Sequence, residues 1–376
     1  MPSFRGRWTK KKQRPESWAP EYLVADTDPI PTRDPAASPG AVPATTEVPG
    51  ELSPPELRNP VLIPQLVIGA PSPTVEPSVI AEPFGTIPFR PDTALDGWST
   101  DHFTVRGASV RGHLHRYNGA PRQDEFAVHH LPSGRLLVLV ADGVSQARLA
   151  HIGAMTVVRA AAQWIQKQLP VNTEETDWRG MVDSVAWAMA EQAKILFGLD
   201  APDSARAEQE LATTLVCAVI DPLEYGTFRA HIVGVGDSGA WLLRHGTFTP
   251  LLKGKTVDKD GFSSSAVSGL PRVPPHEIRP TVVHAGANDV LLVGTDGIGD
   301  PLGKGEGGVG NLIRELLGRA DPPSLIEFAH AIDFSREAFD DDRTLVTVAA
   351  RRSSSQASPL IGTGLSAPSH GSAFTE

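Results

Sequence analysis

Three apolar runs in this chain stop on an aspartate: LLVLVAD at Asp142, HIVGVGD at Asp237 and VLLVGTD at Asp296. A fourth acid cluster, Asp340 to Asp342, opens a last apolar run, DDDRTLVTV. One aspartate at a strand end is ordinary, because its carboxylate bonds the downstream backbone and makes a turn. Four such acids at the ends of buried strands imply more, since carboxylates crowded at one sheet edge repel one another unless a cation neutralises them. Hard oxygen donors without paired cysteines or a histidine-rich set select Mg2+ or Mn2+ over zinc. Two such ions about 3.5 to 4 Å apart would share a water, lower its pKa and aim it at phosphorus, which is chemistry for hydrolysing a phosphoester.

The elements that must position these acids are legible as periodic runs. Strand-like segments cover 103–110, 135–141 (RLLVLVA), 213–220 (TTLVCAVI), 228–235, 289–294 and 344–350. Helical spacing runs over about 147–168, where Ile152, Met155, Val158 and Ala162 share a face, and over 178–196, with Met181, Val185, Met189 and Ala193. Two shorter helices are expected near 310–317 and 324–332. Strands in blocks, with helices paired between them, predict packed sheets covered by helices rather than regular alternation. No internal repeat is visible.

The whole chain has 376 residues and a formal net charge of -10, which argues against a nucleic-acid-coating protein. With 40% hydrophobic and 21% charged residues and no apolar run of membrane-spanning length, a soluble protein is expected. The single cysteine, Cys217, excludes an intramolecular disulfide and a paired-cysteine zinc site, and points to a reducing, cytoplasmic location. Of the 34 prolines, 19 lie between Pro2 and Pro91, so residues 1–95 are expected to form a largely disordered arm. Its first 14 residues carry six basic side chains, read as a solvated tail or as a contact for a membrane surface or an acidic partner. No apolar run follows them, so a secretory signal is not expected. One apolar island, VLIPQLVIG at 61–69, could be a strand or hook that docks on the folded part. Residues 96–351 are expected to form one catalytic-size domain, and 352–376 a second loose tail.

The order and spacing of these segments resemble the metal-dependent type 2C serine/threonine protein phosphatases, in their bacterial form. The matching pieces are Gln123-Asp124 in GAPRQDEFAV, Asp142-Gly143 in VADGVS, Thr213-Thr214 in ELATTLVCAV, Gly236-Asp237-Ser238 in VGVGDSGAWLL, Asp296-Gly297 in LLVGTDGIGD and Asp341 in DDDRTLVTV. They span Arg111 to Ala349 and are specific as a set, each alone being weak. The resemblance implies an α+β fold, a four-layer α-β-β-α sandwich with two central antiparallel sheets. It implies hydrolysis of phosphoserine and phosphothreonine in proteins by a metal-activated water, with two Mn2+ or Mg2+ ions and a weaker third. Asp142 would bridge both metals and the Gly143 carbonyl would bind the second. Asp296 and Asp341 would complete the first, and Asp237 with Asp296 would hold the third. Asp124 would act through water, and Arg116, chosen over Arg111 and Arg122, would grip phosphate in a bidentate manner. The partners implied are phosphorylated proteins, targets of a serine/threonine kinase.

Several positions depart from the family pattern. Val144 stands where some members place a histidine that could protonate the leaving alcohol, so the general acid is unassigned, and His115 and His151 are read as structural more readily than as catalytic. Gly239 stands where the family usually carries arginine, and residues 253–275 occupy the place of a flap that could select substrates. The run GVGDSG at 234–239 matches the dinucleotide pattern formally, but that pattern needs a helix next. His245-Gly246 instead predicts a hairpin turn between strands. Gly-Asp-Ser-Gly in the same run also occurs in trypsin-like proteases, whose upstream histidine segment and disulfides are lacking. The remaining alternative is an inactive member that binds phosphoproteins as a regulator.

Overall fold

The computed structural model describes residues 65–73, 77, 90–252 and 269–351. The basic start, most of the proline-rich arm, residues 253–268 of the expected flap and the tail from 352 lie outside the described residues. Eleven strands among the described residues form two antiparallel sheets. One has the order β1 (Thr93–Ser99), β2 (Phe103–Val110), β11 (Arg343–Ala350), β10 (Val290–Gly294), β7 (Gly239–Arg244), β8 (Thr247–Pro250). The other runs β3 (Glu125–His130), β4 (Leu136–Ala141), β5 (Leu215–Pro222), β6 (Phe228–Val235), β9 (Thr281–Ala285).

Alternation along the central strands explains their unbroken apolar sequence. In β4, Leu136, Val138 and Val140 enter the core between the sheets, while Leu137, Leu139 and Ala141 meet helices on the other face. In β10, Leu291 and Val293 point between the sheets and Leu292 points outward. Helices α2 (Ala150–Gln168), α3 (Trp178–Phe197) and α4 (Ser204–Leu211) cover the five-stranded sheet through Ile152, Met181, Val185 and Leu211. Helices α5 (Asp296–Leu302), α6 (Gly308–Leu317) and α7 (Leu325–Ile332) cover the six-stranded sheet through Ile298, Ile313 and Phe328. The result is the four-layer α-β-β-α arrangement, with short α1 (His113–Asn118) following β2.

Helix ends are fixed locally. Asp177 caps α3 by accepting from the Gly180 amide at 2.8 Å, and Ser324 with Glu327 forms a reciprocal capping box on α7. The turn at His245-Gly246, both with positive φ, joins β7 to β8. A strand therefore follows GVGDSG, and the dinucleotide reading falls.

Register gathers the acids at one rim. Ala141 pairs with Glu125, Leu215 with Val235, Gly294 with Gly239 and Leu345, and Arg343 with Val110. Asp142 follows β4, Asp237 follows β6, Asp296 follows β10, Asp124 precedes β3, and Asp341 and Asp342 precede β11. Antiparallel pairing puts the C-terminal end of one strand beside the N-terminal start of its neighbour, so these six acids share a single edge of the paired sheets.

Candidate metal centre

Asp142 is the hub of that edge. Its carboxyl lies within hydrogen-bonding reach of the Asp296 carboxyl. Burial pushes Asp142 well above the usual carboxylate range, and the charges of Asp124, Asp296 and Asp341 push it further. Burial, then the neighbouring Asp342, raises Asp341 to about 6. Asp124, 1% exposed, is likewise raised by burial and by Asp342 and Asp341. The structure thus brings Asp142, Asp124, Asp296 and Asp341 together from four distant parts of the chain.

Each carboxylate is held by its own set of bonds. The Asp142 amide donates to Thr214 Oγ1 at 2.9 Å, which leaves that hydroxyl free to donate to Ser238 Oγ at 2.7 Å. The Asp142 carbonyl accepts from Thr213 Oγ1 at 2.7 Å and from the Thr214 amide at 2.8 Å. Asp237 lies between β6 and β7 beside Ser238, so the Ser238–Thr214 bond links its turn to Asp142. Asp124 Oδ2 accepts from Thr295 Oγ1 at 2.8 Å and from Thr344 Oγ1 at 2.7 Å. Because Asp124 precedes β3 while Thr295 follows β10 and Thr344 lies at the start of β11, this carboxylate staples the two sheets at the rim.

Asp342 plays a different part from its neighbour Asp341. It is 2% exposed, accepts from the Gly112 amide at 2.6 Å and from the Gln123 amide at 2.5 Å, and lies 2.9 Å from His115 Nδ1 as its ion-pair partner. Burial opposes its charge, but His115 and the two amides hold it below the usual carboxylate range. Burial also opposes the charge on His115, yet Asp342 and Asp341 raise its imidazole to about 9. His115, Asp341 and Asp342 offer ligand atoms within 4.8 Å of one another. Since His115 Nδ1 stands 2.9 Å from the Asp342 carboxylate, we assign the two an ion pair that braces Asp341. In the sequence Asp342 stood out only as one of the cluster Asp340 to Asp342, without this role, and the threonines at 295 and 344 did not stand out. Their only signal is adjacency to Asp341, Asp296 and the start of β11.

The residues present fit divalent ions. Two carboxyl groups within hydrogen-bonding reach must share either a proton or a cation. Gln123 Oε1 is buried with no hydrogen-bond partner among the described residues. A side chain on Gly143 would meet Ala150 Cβ at 2.8 Å and Gln123 Cβ at 2.9 Å, so the backbone there approaches its surroundings as only glycine allows. The donors are oxygens, the set that hard divalent cations take.

Arg116, expected from the resemblance to grip phosphate, is found in an ion-pair network. Its guanidinium donates to Asp92 Oδ2 at 2.8 Å, Asp92 Oδ1 at 3.3 Å and Asp333 Oδ1 at 3.1 Å, so two carboxylates already occupy the fork. Arg111 also bonds Asp92, at 2.9 Å, and the buried Arg122 bonds Ser109 Oγ and the Asp124 carbonyl. Arg90, unremarked in the sequence, reaches the Asp124 carbonyl at 2.8 Å and Glu125 at 3.0 Å. His151 is buried at the start of α2. Burial and then Arg90 lower its ring to about 4, so it is neutral at pH 7.

The family model for protein phosphatase 2C matches residues 111–330. Solved structures similar to the chain include the catalytic domain of the serine/threonine protein phosphatase PstP in complex with two manganese ions. It is 21% identical, covers 67% of this chain and 99% of that one, and has a TM-score of 0.47. The S. agalactiae serine/threonine phosphatase is 14% identical over 66% of this chain and 100% of that one, with a TM-score of 0.48. RsbX in complex with magnesium is 12% identical over 69% and 100%, with a TM-score of 0.45. No curated protein matches the chain in sequence.

Proposed function

The chain belongs to the protein phosphatase 2C family, and on that premise we propose that it is a metal-dependent phosphatase hydrolysing phosphoserine and phosphothreonine in proteins, with water as the nucleophile. The observation that carries this reading is the gathering of Asp142, Asp124, Asp296 and Asp341, where burial and mutual repulsion raise the carboxyl groups of Asp142, Asp124 and Asp341. Asp142, Asp296, Asp341 and the Gly143 carbonyl would hold two Mn2+ or Mg2+ ions, and Asp237 would contribute to a weaker third. When bound, such ions neutralise charge on the phosphoryl oxygens and lower the pKa of a nearby water.

The chain's own groups set where this happens. Thr213, Thr214 and the Ser238 hydroxyl fix the backbone of Asp142, so its carboxylate enters the site in one orientation. Asp124 keeps one oxygen committed to Thr295 and Thr344, which leaves the other for a water or proton at the rim. The His115–Asp342 pair holds α1 against the loop that carries Asp341. The proteins acted on would be the products of a serine/threonine kinase, and the site of action the cytoplasm.

Hydrolysis of p-nitrophenyl phosphate and of a phosphothreonine peptide, with Mn2+, with Mg2+ and with a chelator, tests the reading. Turnover should require the metal and fall at least about 100-fold in Asp142→Ala, beyond the 10- to 100-fold typical of losing an outer-shell partner. A folded chain without metal-dependent turnover would make it a phosphoprotein-binding module instead.

A further inference from the structure

Residues 65–72, which include the end of the apolar island 61–69 expected to dock, lie along the segment 333–340 that leads into Asp341. Val67 pairs with Ser335 in a parallel bridge, through Ile68 N to Ser335 O at 3.0 Å and Ser335 N to Leu66 O at 2.7 Å. Glu337 N donates to Ala70 O at 2.8 Å. The Ser72 amide donates to Ser335 Oγ at 2.9 Å, and the buried Ser72 hydroxyl donates to the Asp340 carboxylate, with the Arg336 carbonyl 3.1 Å away as its alternative acceptor. Leu66 and Ile68 pack on the core beneath α6 and α7, and Gln65 reaches His113 Nε2 at 3.0 Å.

This segment needs such support. Ala338 has φ +67°, a left-handed conformation that is unfavourable for a residue with a Cβ and persists only where the surroundings over-determine it. The opposite side of the segment is closed by α1. Leu114 N donates to Asp340 O at 3.0 Å, and a Cβ on Gly112 would stand 2.2 Å from the Asp341 carbonyl carbon. The segment that leads into Asp341 is therefore held between α1 on one side and residues 65–72 on the other.

We propose that residues 65–72 form a strap, with Ser72 as a positioning residue, that holds the Asp340–Asp341 backbone in the geometry a metal ligand requires. The inference rests on the phosphatase reading for the role of Asp341, while the coupling between strap and loop stands on the contacts alone. Because the strap continues from the proline-rich arm, a partner that draws the arm away would loosen Asp341 without touching the site.

The test uses the full-length chain and the variants Ile68→Pro, which removes an amide donor of the bridge, Ser72→Asp, which sets a second carboxylate against Asp340, and Ser72→Thr, which keeps the hydroxyl. In the metal-free chain, amide hydrogen exchange over 336–342 should quicken about 10-fold or more in the first two and not in Ser72→Thr, with β4 and β5 unchanged. Calorimetric titration of the same samples with Mn2+ should show the affinity of one site about 10-fold weaker in Ile68→Pro and Ser72→Asp, the scale of loss when a ligand's supporting group goes. Wild-type exchange over 336–342 in a variant whose residues 65–72 exchange freely would overturn the strap. A wild-type chain that takes up no Mn2+ would overturn the metal reading instead, and the metal-free exchange would still decide the coupling.

Discussion

Arg116 stands a few residues before the Gln123-Asp124 pair, where a phosphate ligand would be sought, yet Asp92 and Asp333 take up its fork. A guanidinium already bonded to two carboxylates has little left to offer a dianion. Arg116→Ala should therefore cost about 1.5–3 kcal/mol in urea unfolding, the range for hydrogen bonds to charged groups, while KM for a phosphopeptide stays within about twofold, far below a tenfold change worth 1.4 kcal/mol. A large rise in KM without loss of stability would restore the phosphate role. His151 gives the pH dependence at this scale. Burial holds its folded pKa near 4 against an ordinary value of 6.5, so between those values the unfolded chain binds more protons than the folded one. The contribution of neutral His151 is thus present in full above pH 6.5 and is lost as pH falls toward 4, by about 3 kcal/mol in all. Urea midpoints measured from pH 7 to pH 4 should fall less steeply in His151→Gln than in wild type. Equal slopes would mean that the ring titrates normally.

The elements that the periodicity located best are those buried on both faces. Strands β2 and β6 coincide with the expected 103–110 and 228–235, and β4, β5, β10 and β11 lie within two residues of expectation at each end. Helices α2, α3, α6 and α7 also emerge, because each carries one apolar stripe. Among the edge and rim elements, β8 was legible only through its hairpin turn, while β1 and α5 escaped notice. β1 is an edge strand whose Asp96 and Gly97 break any apolar alternation. α5 contains Pro301 and starts on Asp296 itself, so its seven residues read as a turn. Double-sided burial also sets the cost of damage. Leu291, fully buried in β10 between the sheets, should cost about 2–5 kcal/mol on truncation to alanine. Thermal unfolding of Leu291→Ala is the check, and a cost under 1 kcal/mol would mean that the inter-sheet core repacks freely.

For the molecule as a whole, the crowded rim opposes folding until a cation arrives, so stability and metal occupancy are linked. A ligand at 100 times its Kd stabilises the state that binds it by about 2.7 kcal/mol per site. For a domain of this size that raises Tm by roughly 5–10 °C. Scanning calorimetry with Mn2+ against chelator should show that rise in wild type and its loss in Asp142→Ala. A Tm indifferent to Mn2+ would contradict the link. The amino-acid sequence alone determined which strands must be covered on both faces and the identity of the acids at strand ends, because burial periodicity and residue type are local properties, whereas the four-layer class came from the family resemblance. Only the tertiary structure decided which charges meet. Asp342 rather than Asp341 took His115, Arg116 went to Asp92 and Asp333, and Ser72 found Asp340. Those pairings join segments far apart in the chain, and an ion pair forms or fails over a few ångströms that only strand register and packing can set.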